Sequence, residues 1–412
     1  AGSLMEYRPF PKGWIESLWS NEYAQAWPQL QANAAAAGEP SFLTPAQMIE
    51  RTYMGNAAFE GDVREETPGS RVIANAIMDD DPRALWLLSW GGMNTIVRAL
   101  MSIAEQWQNK PEWPAVQQRV HQKVRVMGVA DGVGQDNSWL DHGREIFPEL
   151  VFWRVPYRYG GYIDAKTAQP DTLPLFKAPW PEQNLTQENG PLMARYMLYG
   201  DGKVYENEPE RFQFGKHARL DWGLEGMPAM QFERGDFMAE GDSMTYIPLL
   251  PFGLRGIDDP DFDTLLGRMF HDGRPDADAP TVFAAISTPA DDNPNPYLRA
   301  YQEDFAARAQ WCAHDPAACS HPAHVVEAAA DRSAIAGERV ALAATIVDPD
   351  DKGFDAHWDV AVDPSSYAGA QDLSLWQECT PDTTFVVPAD ARPGDRFVLT
   401  LTVQTRAERP CS

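Results

Sequence analysis

Short apolar runs that end in glycine or polar residues recur through the first two thirds of the chain. Residues 85–90 (LWLLSW) end at Gly91-Gly92, and a helical pattern follows over residues 95–101. Residues 124–129 and 151–155 are further runs of this kind. Continuous apolar runs between helical segments are typical of buried parallel strands joined by crossover helices. The residues up to about 270 therefore predict an α/β domain with an open, mostly parallel sheet.

A different pattern begins after residue 325, where apolar and polar residues alternate in short stretches separated by turns. Such stretches cover residues 339–347, 357–362, 383–387 and 396–403. Several short strands at a spacing of roughly ten residues are typical of a β-sandwich. We therefore predict two domains, an α/β domain over residues 1–324 and an immunoglobulin-like β-sandwich over residues 325–412.

The segment between the two patterns is predicted from its turn residues and its periodicity. Residues 258–295 are rich in Asp, Pro and Gly and predict a long surface loop. Residues 297–312 regain helical periodicity, and residues 315–324 are typical of a linker.

Charge and hydropathy exclude two classes of partner. The chain has 60 acidic and 34 basic residues and a formal net charge of −26, so its surface repels a phosphate backbone. Its longest apolar stretches fall well short of the ~20 residues that span a bilayer. We expect neither a nucleic-acid-binding nor a membrane-spanning protein.

Tryptophan is unusually frequent, with 14 residues, which is roughly two to three times an ordinary share. One interpretation is packing in the core and between domains. The other is a groove in which aromatic faces stack on sugars or bases.

The four cysteines, Cys312, Cys319, Cys379 and Cys411, all lie in the last quarter of the chain. Their spacing differs from the paired short loops of a zinc site. Cys312 with Cys319 and Cys379 with Cys411 are either disulfides of an exported protein or free thiols.

The chain opens at Ala1 without a recognisable signal peptide. We expect that any export signal was removed or lies outside this sequence, and we predict a secreted or periplasmic protein.

Most catalytic signatures are absent from the sequence. It has no nucleophile elbow, HExxH motif or P-loop, and Gly132-Val133-Gly134 lacks the third glycine of a dinucleotide-binding loop. What remains is Glu240-Gly241-Asp242 ahead of an apolar run. Two such carboxylates coordinate a hard cation or serve as acid and base, unless they only cap a helix.

Several motifs together resemble one known family. They are DDPRALW at 80–86 leading into WGGMNT at 90–95, EGD at 240–242 with LLPFGL at 249–254, and YQEDFAAR at 301–308 with Trp311-Cys312. In this order they are similar to the secreted "cellulose-binding" family of unknown activity, which has a nucleoside-hydrolase-like domain and a C-terminal β-sandwich.

The resemblance implies the α/β nucleoside-hydrolase-like fold and a calcium ion that holds the attacking water. By similarity, the main-chain carbonyl of Asn94 and the carboxylate of Asp242 are metal ligands, and Asp136 and Asn137 lie where the family makes polar sugar contacts. Gly241 stands where a histidine commonly assists the leaving group, which disfavours a nucleobase as the leaving group.

The family's early acidic cluster has no counterpart in this sequence, because Ala1 to Arg8 resemble the end of a second strand. Calcium requires six to eight oxygens, more than Asp242 and one carbonyl supply. Either this sequence lacks an N-terminal piece, which a separate segment could supply, or the fold has lost its metal. The partners considered are such a separate N-terminal segment or a second copy of the chain. We favour the missing piece, because a parallel sheet without a central strand exposes apolar backbone edges.

Two functional hypotheses from different classes follow. The first is a glycosidase that cleaves a glycosidic bond of an oligo- or polysaccharide with a metal-held water. Its candidate residues are Asp242 and Asn94 on the metal, Glu240 and Asp136 as acid and base, Asn137, Glu6 and Arg8 as hydroxyl contacts, and Trp90, Trp139 and Trp222 as sugar platforms. Each tryptophan is alternatively a core residue, and Glu6 with Arg8 a surface ion pair.

The second hypothesis is a non-catalytic protein that binds cellulose or another polysaccharide on the same scaffold. Nucleoside salvage is the weakest reading, because a sandwich appendage and export do not suit an intracellular enzyme.

Overall fold

The computed structural model describes residues 13–129, 136–155, 170–204, 214–216, 232–237, 242–258, 262–271, 282–285, 297–362 and 365–406. The chain forms two compact units. Described residues up to Trp27 and between Leu43 and Cys312 belong to the first unit, and Pro28–Phe42 with the residues from Ala313 onward belong to the second. The sequence patterns placed residues 28–42 and 313–324 in the first domain, whereas here they cluster with the C-terminal strands.

The first unit contains most of the helices and one six-stranded sheet. The helices are α1 Trp14–Leu18, α2 Ala24–Ala37, which continues into the second unit, α3 Pro45–Glu50, α4 Pro68–Met78, α5 Asn94–Trp107, α6 Trp113–Lys123, α7 Arg144–Ile146, α8 Gly190–Ala194 and α9 Leu298–Trp311. The strands are β1 Leu85–Ser89, β2 Val124–Val129, β3 Val151–Val155, β4 Asp263–Thr264, β5 Gly267–His271 and β6 Val282–Ala285.

The sheet is mostly parallel, as the apolar runs predict. Its order is β1-β2-β3-β6-β5-β4, in which β1, β2, β3 and β6 run parallel and β5 is antiparallel to both of its neighbours. The prediction of a loop over residues 258–295 is wrong, because this segment supplies three strands and Val282 of β6 pairs with Phe152 of β3. β6 has only four residues within a Pro- and Asp-rich stretch, which is too short for periodicity to reveal.

One apolar core holds the parallel strands against the helices. Helix α5 buries one face, with Ile96, Val97, Leu100 and Ile103 packed in the same cluster as Val126 of β2. Val97 and Leu100 are fully buried, so this face of α5 is shielded from solvent. The packing fixes the first turn of α5 at the carboxyl end of β1.

The second unit contains three antiparallel strand pairs. The strands are β7 His324–Ala328, β8 Arg339–Leu342, β9 Ala344–Val347, β10 Phe354–Val360, β11 Thr383–Val386 and β12 Leu399–Thr405. They pair as β7 with β9, β8 with β11 and β10 with β12. Residues 339–347, predicted as a single strand, divide at Ala343 into two strands with different partners. Val340, Trp358 and Phe385 lie in the core of this unit.

The described helices and thiols answer two questions that the sequence raised. No helix in the described residues is long and apolar enough to cross a membrane. Cys312, Cys319 and Cys379 form no disulfide with one another in the described part of the chain, and Cys411 lies outside it.

A buried histidine of the second unit has a charged or polar partner at each ring nitrogen. Asp350 accepts from the His321 backbone N–H at 2.9 Å, and its other oxygen lies 2.7 Å from His321 Nδ1. Asn33 donates through Nδ2 to the carbonyls of Gln29 and His314, so its Oδ1 faces His321 Nε2 at 3.0 Å. Each ring nitrogen therefore has an oxygen partner, a carboxylate on one side and an amide on the other.

Replacement of Asp350 by Asn should destabilise the second unit by about 2 kcal/mol, because it removes a charged acceptor from buried donors. Burial by itself would raise the pKa of Asp350, but hydrogen bonds from His321 and Lys352 outweigh it, and the pKa lies below the ordinary 3.8. A depressed pKa contributes stability above the unfolded value and loses it as the pH falls. Urea denaturation should therefore show the full difference at neutral pH and a shrinking one below pH 3.8.

Asp351→Asn is the matched control. Asp351 is exposed and has a φ of 54°, a backbone conformation that Asn adopts as readily as Asp. We expect no change in its unfolding curve. Equal curves for both variants would contradict the role of the His321 contact.

Candidate functional site

The candidate site lies at the edge of the sheet where β1 and β2 end. In open α/β sheets, ligands bind outside the carboxyl ends of the parallel strands. Trp90 to Met93 connect β1 to α5, and Asp136 follows β2 in the chain. The strand-end rule therefore predicts that Trp90, Asn94 and Asp136 lie at one edge of the sheet. In the structure these three residues do lie at that edge.

The carboxylate of Asp136 anchors the two loops to each other. It is buried, and Oδ2 accepts from the backbone N–H of Asn94 at 3.2 Å. Oδ1 accepts from the backbone N–H of Ser138 at 2.9 Å and from the Ser138 hydroxyl. Both carboxylate oxygens are thus used in holding backbone, which favours a positioning role for Asp136 over proton transfer.

Gly92 makes this contact possible. A Cβ built on Gly92 would lie 2.3 Å from Asp136 Oδ2 and 3.0 Å from Asn94 Oδ1. The former distance is shorter than any real van der Waals contact of a Cβ atom. Only glycine lets the carboxylate reach the first turn of α5.

The side chain of Asn94 binds the preceding part of the chain. Its Nδ2 donates to the carbonyl of Asn56 at 2.7 Å and to that of Asp62 at 3.3 Å. The neighbouring Thr95 Oγ1 accepts from the Asn56 N–H at 2.9 Å. The first turn of α5 therefore ties residues 56–62 to the strand ends, and the Asn94 amide is committed to that task.

Trp90 is the exposed aromatic residue of the edge. Its side chain is oriented by Nε1, which donates to Thr245 Oγ1 at 2.5 Å, and Thr245 in turn donates to the Asp242 carbonyl at 2.9 Å. The Tyr246 ring lies against it with centroids 6.2 Å apart. Since Trp90 remains 58% exposed, the ring is held in place and yet open to solvent.

Asp242 precedes the short 3₁₀ helix Ser243–Thr245, in which Thr245 accepts the hydrogen bond from Trp90. Its side chain makes no capping hydrogen bond to that helix, so the capping interpretation fails for Asp242. Burial raises its pKa from 3.8 to about 6. A desolvated carboxyl group of this kind recruits either a proton or a cation.

The described residues at this edge supply too few ligands for calcium. Within the described part of the chain, three or more Asp, Glu, His or Cys ligand atoms converge only at His357, Glu378 and Cys379, which lie in the second unit. Both oxygens of Asp136 already accept hydrogen bonds, and Asp242 is one carboxylate where calcium requires six to eight oxygens. The described donor set does not fit the ion, and we derive no step through it.

The other predicted residues have different positions. Asn137 is exposed beside Asp136, and its carbonyl accepts from the Asp141 N–H at 2.9 Å. Trp139 is 2% exposed and packs on Phe152 in the core, so it offers no face to a sugar. Glu6, Arg8, Trp222 and Glu240 lie outside the described residues.

Sequence reasoning missed Thr245 and Tyr246 as parts of the site. Thr245 orients Trp90, and the Tyr246 hydroxyl lies 3.2 Å from that of Tyr301 on α9. The available signal was their position directly after Asp242. A threonine and a tyrosine in an apolar run are usually core residues, so that signal is weak.

Comparisons with known proteins agree with this architecture. The family model described as cellulose-binding Sde182, nucleoside hydrolase-like domain, matches residues 15–269. Among solved structures, the chain is similar to a nucleoside hydrolase-related hypothetical protein from Saccharophagus degradans that is associated with carbohydrate metabolism, with 23% sequence identity and a TM-score of 0.65 over 96% of this chain and 85% of that one. At this identity the likeness shows the fold. A search of the curated proteins found no match.

Substitution of Gly92 by Ala should lower the free energy of unfolding by about 2 kcal/mol, since the new methyl group separates Asp136 from the Asn94 N–H and leaves buried groups unpaired. Thermal denaturation measures the loss. Gly128→Ala on β2 is the control, because its Cβ would meet only ordinary contacts at 3.7 Å. A Gly92→Ala protein as stable as Gly128→Ala would refute the anchoring role of Asp136.

Proposed function

Because the chain belongs to the cellulose-binding Sde182 family through its nucleoside hydrolase-like domain, we propose that it binds polysaccharide of the cellulose type at the edge formed by Trp90, Tyr246 and Asp242. The observation that carries this proposal is the exposed, oriented ring of Trp90 at the carboxyl end of β1. Pyranose rings present apolar C–H faces that stack on aromatic side chains. Hydroxyl groups at the rim of such a sugar find polar partners in Asp242 and Asn137.

The orientation of Trp90 favours binding. The hydrogen bond to Thr245 and the contact with Tyr246 fix the ring before a ligand arrives. Little side-chain entropy is then lost on binding, which increases affinity. The net charge of −26 carries no penalty with a neutral glycan, whereas it would oppose an anionic polymer.

In the same proposal, the second unit is an accessory module of the polysaccharide-binding protein. Two of its three antiparallel pairs, β8 with β11 and β10 with β12, contribute apolar residues to one core, and we propose an immunoglobulin-like sandwich for it. Insoluble polysaccharide lies outside cells, so we also propose that the protein is secreted or periplasmic.

Hydrolysis of a glycosidic bond is the second candidate function, and the raised pKa of Asp242 favours it. Glycosidases use one carboxyl group that is still protonated near neutral pH to donate to the leaving oxygen. Asp242 meets this requirement better than Asp136, whose oxygens accept backbone and hydroxyl hydrogens. Glu240, two residues away in the chain, remains the proposed partner carboxylate.

Truncation of Trp90 to Ala should weaken binding to insoluble cellulose by about 10-fold, because it removes the stacking surface. Trp90→Phe should retain most of the affinity, since it keeps an aromatic face and loses only the N–H donor. Pull-down isotherms on cellulose measure both effects.

Trp376→Ala is the matched control, because Trp376 is 71% exposed but lies in the second unit. Its affinity should equal that of the unmodified protein. If Trp376→Ala abolishes binding and Trp90→Ala does not, the polysaccharide binds to the second unit and the proposed edge is incorrect.

For Asp242, sugar release should be maximal below pH 6 and should decline as the pH rises through that value, because the acid form carries the proton. Asp242→Asn should abolish release.

Above pH 6 the Asp242→Asn variant should be more stable than the unmodified protein by up to about 3 kcal/mol, since it removes a charge from a desolvated site. The stability difference should vanish towards pH 3.8, where the carboxyl group is protonated in both states.

Asp258→Asn, at an exposed position, is the control for this series. Sugar release that is independent of pH across this range would exclude Asp242 as the acid. Cellulose binding by the unmodified protein without sugar release at any pH in this range would favour binding without catalysis.

A further inference from the structure

The second unit carries a group of three potential metal ligands that plays no part in the proposed function. The side-chain ligand atoms of His357, Glu378 and Cys379 all lie within 4.8 Å of one another. His357 is partly exposed on β10, and Glu378 and Cys379 are exposed on the segment that precedes β11. We propose that this group binds a borderline divalent cation, Zn²⁺ in the first place, with water in the fourth position.

The distance between the two strongest ligands fits a tetrahedral zinc ion. Cys379 Sγ lies 3.7 Å from His357 Nδ1. With zinc bonds of about 2.3 Å to sulfur and about 2.0–2.1 Å to nitrogen, a tetrahedral angle separates the two atoms by about 3.6 Å. The ion therefore enters between them without movement of the backbone. The exposed Glu378 side chain has the freedom to complete the third bond.

The imidazole is already oriented for metal binding. His357 Nε2 lies 2.9 Å from Asp359 Oδ1, two residues along the same strand. An ionised carboxylate accepts, so Nε2 carries the hydrogen and the lone pair of Nδ1 faces Cys379. A carboxylate behind a histidine is the usual outer partner of a zinc ligand and increases its basicity.

The backbone holds the two ligand segments together. The Trp358 N–H donates to the Glu378 carbonyl at 2.8 Å, and Trp358 Nε1 donates to the Pro381 carbonyl at 3.2 Å. Trp376 pairs with Thr384 on the other side of the turn. Cys379 is therefore placed opposite His357 by the main chain and the buried Trp358 ring, which lowers the cost of assembling the site.

The types of ligand select the metal. Thiolate and imidazole favour zinc and similar transition metals, whereas calcium and magnesium take oxygen ligands. Metal binding displaces the Cys379 thiol proton into solvent, so affinity rises with pH. The sequence spacing concealed the site, because His357 and Cys379 are 22 residues apart and meet across neighbouring segments.

The test uses the full-length, reduced, metal-free protein titrated with Co²⁺. We expect one equivalent to produce the thiolate-to-cobalt charge-transfer band together with intense tetrahedral d–d bands, and Zn²⁺ to abolish both. Cys379→Ser should eliminate the charge-transfer band. Asp359→Asn should keep the band and weaken the affinity about 10-fold.

Asp372→Asn, which removes an exposed carboxylate of the same unit outside the group, should bind Co²⁺ like the unmodified protein. All three substituted positions, Cys379, Asp359 and Asp372, are exposed, and circular dichroism verifies folding of each variant. The proposal is overturned by the absence of the band, by a band that survives in Cys379→Ser, or by mass spectrometry that finds Cys379 in a disulfide with Cys411.

Discussion

The buried carboxylate of Asp136 joins the loops that follow the first two strands of the sheet, and the geometry of the edge depends on that junction. It accepts the Asn94 N–H and so fixes the first turn of α5. From that turn, the Asn94 amide holds residues 56–62. The same loop carries Trp90, whose ring then reaches Thr245. One charge, satisfied by backbone donors, therefore organises three separate chain segments around the strand ends.

The two carboxylates of the edge differ because their surroundings differ. Asp136 is surrounded by N–H and hydroxyl donors, which stabilise its charge. Asp242 is desolvated by burial and its side chain makes no capping hydrogen bond to the helix that follows, so its charge is destabilised and its pKa is raised. Two carboxylates of the same edge thus lie in opposite electrostatic surroundings, and Trp90 is hydrogen-bonded to the Thr245 hydroxyl, which donates to the Asp242 carbonyl.

The sequence predicted those features that depend on local patterns. Strands β1, β2 and β3 and the edge that gathers Trp90, Asn94 and Asp136 follow from apolar runs and one topological rule. It missed β6, whose four residues carry no periodicity, and it merged β8 with β9, because alternation does not specify a pairing partner. The roles of Asp136 and Trp139 depend on hydrogen-bond donors and burial contributed from elsewhere in the chain. The donors around Asp136 and the burial of Trp139 are therefore visible only in the three-dimensional structure.

The second unit is assembled from two distant parts of the chain, and this has a consequence for its biosynthesis. Asn33 leaves the ribosome 288 residues before its partner His321, and strand β12 follows later still. During that interval Asn33 lacks its contacts with His314 and His321. The second unit therefore cannot complete its fold until the segments after Ala313 have been made, and a chain released before then leaves Asn33 of helix α2 without these contacts.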